Sequence, residues 1–203
     1  MPSVIAVIVG SILSTILMRL MSKWKLPPYT APFIISAWVV MAGILTLHII
    51  PLRTAQLSAA SNVEIIPAIS KGIGQVMFQE NTIAGIIIFI GILVCSRISA
   101  LYALLGSSLG VVIAFACSFP LNMINIGLFG FNGVLCGIAL SNRKWHYLFL
   151  AIAAIVVSTF ITYGMMNFGI ITLTSPFVMS TWLVLLLKNK IKLPFCRRFG
   201  EIS

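Results

Sequence analysis

The sequence predicts an all-α polytopic membrane protein that contains an internal duplication. Of the 203 residues 60% are hydrophobic and only 8% are charged, and the mean hydropathy is +1.14. This composition lies outside the range of soluble globular domains. Apolar stretches long enough to enter or cross a bilayer recur along almost the whole chain. A nine-residue signature near the N-terminus also occurs again near the C-terminus.

The two copies of the signature occupy residues 30–38 and 174–182, an offset of 144 residues. Both hold Thr, Pro, Phe, Ser and Trp at matching positions. A duplicated membrane protein is typically a transporter or channel, because two related halves build one pathway between them. Since one unit spans about 144 residues, two complete units exceed the length of this chain. We therefore expect the first repeat to be truncated at its beginning.

The order of apolar and polar segments predicts the domain organisation. Residues 1–53 are expected to hold the last two transmembrane helices of the first repeat, 54–187 the complete second repeat, and 188–203 a basic cytoplasmic tail. Residues 63–79 are too short and too rich in glycine for a full crossing, which favours a re-entrant helix. Apolar helices are expected at 4–20, 31–50, 83–95, 99–116, 123–140, 147–166 and 175–187.

The charge pattern predicts the orientation of these segments. The net charge is +10, from 13 Lys+Arg against 3 Asp+Glu. The basic residues lie between apolar segments rather than on a basic face with stacking aromatics, which excludes a nucleic-acid partner. With the tail in the cytoplasm and 63–79 entering from outside, only Arg53 and Lys71 lie outside. The two signatures then cross the membrane in opposite directions, as in an inverted-topology repeat with its site near the midplane.

Catalytic and metal-binding constellations are missing from the sequence. The three acidic residues form no pair, and neither a Ser/His/Asp nor a Cys/His arrangement has usable spacing. We therefore expect neither an enzyme nor a bound cofactor or metal. No acid is evident inside an apolar segment as a proton or sodium relay, which favours passive conduction. Cys95, Cys117 and Cys136 lie within apolar segments and are expected to be small buried hydrophobes.

The first polar constellation is the glycine-rich stretch from Lys71 to Asn81. Its glycines allow tight turns and a close approach of the backbone. A re-entrant helix here would direct Gln75 toward a pore, where one acceptor and two donors can serve a polar solute. The alternative interpretation is a surface loop between two helices.

The second constellation is the stretch 127–137, with glycine at 127, 130, 133 and 137. These glycines favour close helix packing. Phe131 and Leu135 are four residues apart, share one helix face and are candidates to wall a flat apolar slot. The alternative is ordinary packing inside a bundle. Ser96-Arg97 is interpreted as a helix boundary and 106–110 as a close-packed crossing.

The third constellation is the duplicated Thr-x-Pro-Phe. Proline at a helix start fixes the entry of the chain. Thr30 and Thr174 precede the two prolines, and across a pseudo-twofold axis they would offer two hydroxyls at the centre. Capping of the helix N-terminus is the alternative, and it is compatible with the first role.

At these constellations the chain resembles the urea transporter family. The matching stretches come in the family's order and cover almost the whole chain apart from the basic tail. They are Leu-Pro-Pro-Tyr-Thr-Ala-Pro-Phe at 26–33, Glu64 with Gly-Ile-Gly-Gln at 72–75, Gly-Ser-Ser-Leu-Gly at 106–110, and Gly-Leu-Phe-Gly-Phe-Asn at 127–132. The resemblance is to the C-terminal portion of the family, from the end of the first repeat through the second.

The resemblance implies a homotrimeric, channel-like protein of the cell (inner) membrane that passes urea down its gradient. Each protomer would form its own narrow slot between two inverted repeats, with apolar faces and a ladder of oxygen acceptors. Carried over by motif, Gln75 would bind the urea amide, a phenylalanine pair and a leucine would wall the slot, and two threonines would narrow its middle. Those five residues are Phe78, Phe131, Leu135, Thr30 and Thr174.

The departures from the family pattern leave an alternative function. The first re-entrant helix and its glutamine have no counterpart in the sequence, and residues 170–171 are Ile-Ile where the family has Leu-Pro. The alternative is a non-conducting or fragmentary membrane subunit. Such a subunit would need the missing first half or a full-length partner.

Overall fold

The computed structural model describes residues 2–24, 26–46 and 62–190, and all regular structure in these ranges is helical. The fold class predicted from the sequence, an all-α membrane protein, is confirmed. The helices are α1 (Pro2–Met21), α2 (Ala31–Thr46), α3 (Ile65–Gly74) with a 3₁₀ turn (Gln75–Met77), α4 (Thr82–Cys95), α5 (Arg97–Ala116), α6 (Leu121–Asn125), α7 (Leu128–Ala139), α8 (Trp145–Asn167) and α9 (Ser175–Lys190).

Three of the described helices are long and apolar enough to cross a membrane: Val4–Met21 within α1, all of α5 and all of α8. Helices α2, α7 and α9 are shorter apolar helices. The predicted helices at 4–20, 83–95, 99–116, 147–166 and 175–187 agree with α1, α4, α5, α8 and α9 to within three residues. The predicted end of the second helix, the boundary at 53–54 and most of the basic tail lie outside the described residues.

The prediction of one helix over 123–140 is wrong, because the chain breaks between α6 and α7. Gly127 lies in the left-handed region, with φ of +82°, which favours glycine. A methyl group on Gly127 would overlap the backbone amide of Gly72 at the end of α3. The tight approach of α3 therefore accompanies the break, and apolar periodicity gives no sign of it.

Helices α5 and α7 form the most extensive helix–helix contact in the described part of the chain. A methyl group on Gly106 would overlap the carbonyl oxygen of Gly133, and one on Gly110 would overlap that of Phe129. The close-packed crossing predicted at 106–110 is confirmed. The predicted boundary at Ser96 is also confirmed, because its hydroxyl accepts a hydrogen bond from the Ser99 amide at 3.2 Å and caps α5.

Helix α3 and its 3₁₀ turn meet α4 at a bend of 70°. At 1.5 Å per residue, the ten residues of α3 span about 15 Å, roughly half of a hydrocarbon core. Asn81 caps α4 by accepting from the Ile83 amide at 2.8 Å. The Ser70 hydroxyl donates to the Thr82 carbonyl at 2.7 Å and ties the two helices together. The bend is thus held by the Asn81 cap and by the hydrogen bond between Ser70 and Thr82.

The expectation that the cysteines are buried holds for one of the three that the structure describes. Cys136 is fully buried in α7, but Cys95 and Cys117 are exposed. Cys95 is the last residue of α4 and Cys117 follows the last residue of α5, so both lie where the packed faces end. An apolar neighbourhood in the sequence does not separate a protein core from a lipid-facing surface.

We expect Gly106→Ala to lower the thermal unfolding midpoint in detergent, because its methyl group meets the backbone of α7. The free energy of unfolding should fall by about 1–3 kcal/mol, the range for overpacked cores. The matched control is Gly91→Ala in α4, where no atom lies within 4 Å of the added carbon. The control should be neutral or stabilising by up to about 1 kcal/mol, because alanine favours helix. Equal midpoints for the two variants would contradict the described crossing.

Candidate site at the paired signatures

The two copies of the signature meet at the starts of α2 and α9. The hydroxyls of Thr30 and Thr174 form a hydrogen bond of 2.8 Å, in which either oxygen can donate. Each threonine carbonyl also accepts the first backbone bond of its helix, from Ile34 and Val178. The hydroxyls therefore bond to each other across the contact, as the offset between the two copies predicts. Their part in transport remains a prediction.

Two tryptophans form a matching pair of contacts between the signatures, each from one helix to the link before the other. The indole of Trp38 donates to the Ile171 carbonyl at 2.9 Å, and that of Trp182 donates to the Pro27 carbonyl at 2.8 Å. Donors and acceptors are each related by the same offset of 144 residues that relates the two threonines. Reciprocal contacts of this kind are those that a twofold axis generates. The contact between the two signatures is therefore reciprocal.

The residues just before the two threonines share an uncommon backbone conformation. Tyr29 and Leu173 both have φ of +44°. The Tyr29 ring packs edge-on against Phe177 at 5.1 Å between ring centroids. Burial raises the pKa of the Tyr29 phenol above its usual value, with a smaller contribution from Cys136, so this side chain is neutral at physiological pH.

Gln75 follows α3, and its side chain is oriented by the break between α6 and α7. Its Nε2 donates to the Ile126 carbonyl at 3.1 Å. Ile126 immediately precedes the left-handed Gly127 at the start of α7. Because the amide nitrogen serves this bond, the carboxamide oxygen is the acceptor that Gln75 can offer to a solute. The oxygen and nitrogen are assigned here from that bond.

Phe78 ends the 3₁₀ turn in the left-handed conformation, with φ of +57°. Its amide donates to the Gln75 carbonyl, and the Gln79 amide donates to the Gly74 carbonyl, a hydrogen-bond pair that usually has glycine at this position. A non-glycine residue costs about 1–2 kcal/mol there. The side chain is 63% exposed. The backbone thus holds a strained residue with its aromatic ring on the surface.

Phe131 and Leu135 lie on α7, as the sequence predicts, but in different surroundings. Phe131 is only 6% exposed. Leu135 is partly buried and packs against the same hydrophobic cluster as Tyr29 and Trp38. Leu135 therefore belongs to the same hydrophobic cluster as residues of both signatures. Among the described contacts, none joins Gln75 or Phe78 directly to the two threonines.

Asn132 is a residue to which the sequence analysis gave no role, although it belongs to the motif at 127–132. It is completely buried, donates to the Thr162 hydroxyl at 3.3 Å and accepts from the Phe177 amide at 3.3 Å. That amide belongs to the first turn of α9, where backbone donors have no partner within the helix. The sequence feature that could have indicated this role is a polar residue within an apolar, glycine-rich segment.

In the part of the chain that the structure describes, no group of three or more His, Cys, Asp or Glu residues comes together. The polar groups near the signatures are hydroxyls, carboxamides and indoles. They form hydrogen bonds and carry no charge, so they suit a neutral polar ligand.

An apolar helical bundle with broken helices and uncharged polar groups at their ends is typical of membrane proteins that transport polar solutes. A family profile described as "Urea transporter" matches residues 1–189, and the chain belongs to the urea transporter family. This is a family of transporters, not of enzymes. The resemblance predicted from the motifs is confirmed.

Individual relatives agree with this assignment. The chain is 30% identical over 199 residues to "Urea transporter 1" of sheep (Ovis aries) and of goat (Capra hircus), and 28% identical over 197 residues to that of rat (Rattus norvegicus). Each match covers 88% of this chain and 51% of the relative. The chain thus spans about half the length of the curated relatives it matches.

We expect Trp38→Phe and Trp182→Phe to destabilise the protein by equal amounts, because each removes one of two equivalent hydrogen bonds. Each loss should be about 1 kcal/mol, the usual net worth of such a bond. The measurement is the thermal unfolding midpoint in detergent. Trp145→Phe is the control, since Trp145 is largely exposed. A loss in only one variant, or an equal loss in the control, would contradict the reciprocal contact.

Proposed function

We propose that the chain contributes to a passive channel for urea whose path follows the contact between two inverted repeats. The observation that carries this proposal is the reciprocal pairing of the signatures, with two hydroxyls 2.8 Å apart. In inverted-repeat transporters, the solute site lies where the two repeats meet, near the midplane. The matching relatives are urea transporters by name, which gives the solute class.

The orientation of the repeats is part of this proposal. Eleven basic residues fall on one side and two on the other when the signatures cross the membrane in opposite directions. Such a bias favours the side with the excess as the cytoplasm. The basic tail is then cytoplasmic, in a cell (inner) membrane, and each protomer of a homotrimer carries its own path.

The chemistry of urea explains the choice of side chains. Urea is planar and neutral, with four N–H donors and one carbonyl acceptor, so it needs acceptors at its edge and apolar faces above and below. The Gln75 oxygen and the hydroxyls of Thr30 and Thr174 are acceptors of this kind. Phe78, Phe131 and Leu135 supply the apolar walls. Binding stays weak because a site that conducts must also release its solute.

Helix α7 provides the line along which these groups are arranged. Its N-terminal end lies beside Gln75, which donates to the Ile126 carbonyl. Its middle lies beside the second signature, because the Asn132 oxygen accepts from the Phe177 amide. Between Leu128 and Leu135 the helix rises about 10 Å. A solute that moves along α7 would therefore meet Gln75 first and the threonine pair later.

Downhill transport fits the distribution of acidic residues. Of the three glutamates, Glu64 precedes α3, Glu80 lies in the link before α4, and Glu201 belongs to the tail. None falls within α1, α5 or α8, the three described helices long enough to cross. Coupled transporters usually carry ionisable groups inside the membrane as proton or ion relays. Passive conduction requires none.

One observation favours a second candidate function, a membrane subunit that conducts only with a partner or with a first half supplied by another polypeptide. Helix α1 makes its main contact with α2, and only 6% of its membrane-crossing residues are buried. Helix α8 is the counterpart of α1 at the offset of 144 residues. By contrast with α1, 33% of its residues are buried. Helix α1 is therefore less covered by the other described helices than α8 is.

The direct test is stopped-flow urea efflux from proteoliposomes that hold the purified chain, compared with empty vesicles. Saturable flux above background supports the first candidate. Background flux that rises on reconstitution with a co-purifying polypeptide supports the second. Background flux in both preparations would overturn the proposal of urea transport.

Gln75→Met is predicted to lower this urea flux about tenfold, because one hydrogen bond of about 1.4 kcal/mol to the solute is lost. Methionine preserves the length of the side chain without its acceptor. The matched control is Gln79→Met, four residues away, at an exposed position. Flux should be unchanged in the control, and equal flux in both variants would remove Gln75 from the path.

Phe78→Gly separates the backbone role of this position from its aromatic role. Glycine suits the left-handed conformation, so the free energy of unfolding should stay the same or rise by up to about 1–2 kcal/mol. The thermal unfolding midpoint in detergent should therefore not fall. Urea flux should fall, because an aromatic wall is removed. A variant with normal flux would show that Phe78 only ends the helix.

Urea flux is predicted to be constant between pH 6 and pH 9. None of the six proposed side chains titrates in that range, and the neighbouring Tyr29 stays neutral because burial raises the pKa of its phenol. The measurement is efflux at matched internal and external pH, with and without a sodium gradient. A sigmoidal pH dependence or an effect of sodium would indicate a coupled mechanism instead.

A further inference from the structure

Helix α3 carries a single charged residue, Lys71, which lies four residues before Gln75. The Lys71 side chain is only partly exposed. In the part of the chain that the structure describes, no hydrogen bond or ion pair is found for its ammonium group. A charge within an apolar helical bundle is costly unless it is paired or faces a water-filled cavity. An unpaired, partly buried Lys71 therefore indicates a wet space beside α3.

The faces of α3 on either side of Lys71 are occupied by other helices. Residues 70 and 72 each lie about 100° from Lys71 around the helix. On one side, the Ser70 hydroxyl donates to the Thr82 carbonyl of α4 at 2.7 Å. On the other side, a methyl group on Gly72 would overlap the Ser107 hydroxyl of α5. The strip of surface that runs through Lys71 thus lies between these two contacts.

Gln75 belongs to the same strip of α3 as Lys71. Positions four apart differ by about 40° around a helix, so their side chains are neighbours. Glu64, just before α3, lies about 20° from Lys71 in the same sense. Side chains lean toward the N-terminal end of their helix. A solute that approaches Gln75 from the Glu64 end of α3 therefore passes the Lys71 ammonium first.

The packed helices hold no acidic side chain that could offset the Lys71 charge. Helix α3 packs against α4, α5, α6 and α7, whose only charged residue is Arg97 at the start of α5. Glu64 and Glu80 flank α3 and its 3₁₀ turn, and both are exposed. Exposed charges are screened by solvent and salt more than partly buried ones. The approach to Gln75 is therefore expected to be electrostatically positive.

A positive charge here supplies a discrimination that hydrogen-bond acceptors cannot. Guanidinium is planar like urea and also carries N–H donors around its edge. Hydrogen bonds from a charged donor are stronger than those from a neutral one, so the Gln75 oxygen alone would favour guanidinium over urea. A fixed cation beside that oxygen repels guanidinium and has no such effect on neutral urea.

We propose that Lys71 is a specificity-determining residue, whose charge excludes cations of urea's shape from the approach to Gln75. The ammonium group raises the energy of a cation at the Gln75 oxygen, and a neutral amide passes. This role rests on the proposed function for its solute. The electrostatic potential that underlies it can be measured without any transport.

The test measures the potential at position 75 with charged thiol reagents. The parent protein is the full chain with Gln75→Cys as the reporter. Cys95, Cys117 and Cys196 are changed to serine, and Cys136 is kept because it is fully buried. The protein in detergent reacts with an anionic sulfonatoethyl or a cationic trimethylammonioethyl methanethiosulfonate. The salt concentration is about 10 mM, where the Debye length is about 30 Å.

Lys71→Met should lower the ratio of the anionic to the cationic reaction rate about tenfold, because the charge is removed and the side-chain length is kept. Lys71→Arg should keep the ratio of the parent. The matched control is Lys144→Met, which removes the same charge from an exposed position before α8 and should leave the ratio unchanged. In about 1 M salt, where the Debye length is about 3 Å, the effect of Lys71→Met should shrink.

A second arm measures solute choice in the proteoliposomes used for urea efflux, with Gln75 intact. Lys71→Met should raise the ratio of guanidinium flux to urea flux about tenfold. Lys71→Arg and Lys144→Met should keep the ratio of the unmodified chain. Gel filtration checks that each variant is folded. If Gln75→Cys fails to fold, the reporter is Met77→Cys, in the same 3₁₀ turn and 63% exposed.

Three results would overturn the proposal. An unchanged reagent ratio in Lys71→Met would mean that the ammonium points away from position 75. An equal change in Lys144→Met would mean that net charge sets the ratio. A changed reagent ratio with an unchanged flux ratio would mean that Lys71 does not govern solute choice. If the unmodified chain passes no urea, the proposed function fails, and the reagent ratio still decides whether Lys71 sets the potential at position 75.

Discussion

The mutual contact of the two signatures is the constraint on which the rest of the structure depends. Apolar attraction between helices is weak in lipid, so helix pairs there are held by hydrogen bonds and close packing. Thr30 and Thr174 bond directly, and Trp38 and Trp182 tie each helix to the link before the other. Because these bonds fix α2 against α9, they place two hydroxyls at one point.

A second set of contacts forms at the breaks between helices and orients polar side chains there. Glycine at 127 lets α3 approach the start of α7, and α6 ends two residues earlier, at Asn125. That break leaves the Ile126 carbonyl to orient the Gln75 side chain. Further along α7, Asn132 satisfies an amide of α9 that its own helix cannot reach. The same helix thus positions the proposed acceptor at one end and supports the signature pair in its middle.

Much of this arrangement could be predicted from the sequence, and the misses have a common physical cause. The internal offset predicted that Thr30 and Thr174 face each other, since a duplicated motif suggests a shared axis. Apolar residues face lipid as readily as they face a protein core, so hydropathy could not show that Cys95 and Cys117 are exposed. The break at Gly127 and the bond between Asn132 and Phe177 depend on neighbours distant in sequence. Local periodicity contains no information about such neighbours.

The central claim is that the two signatures cross the membrane in opposite directions, which places the links before them on opposite faces. The measurement is labelling of Lys23→Cys and Phe168→Cys by a membrane-impermeant maleimide in intact and in permeabilised cells. Cys95, Cys117 and Cys196 are changed to serine in both variants. The account predicts that Phe168→Cys reacts in intact cells and Lys23→Cys only after permeabilisation. Reaction of both positions from the same side would contradict it.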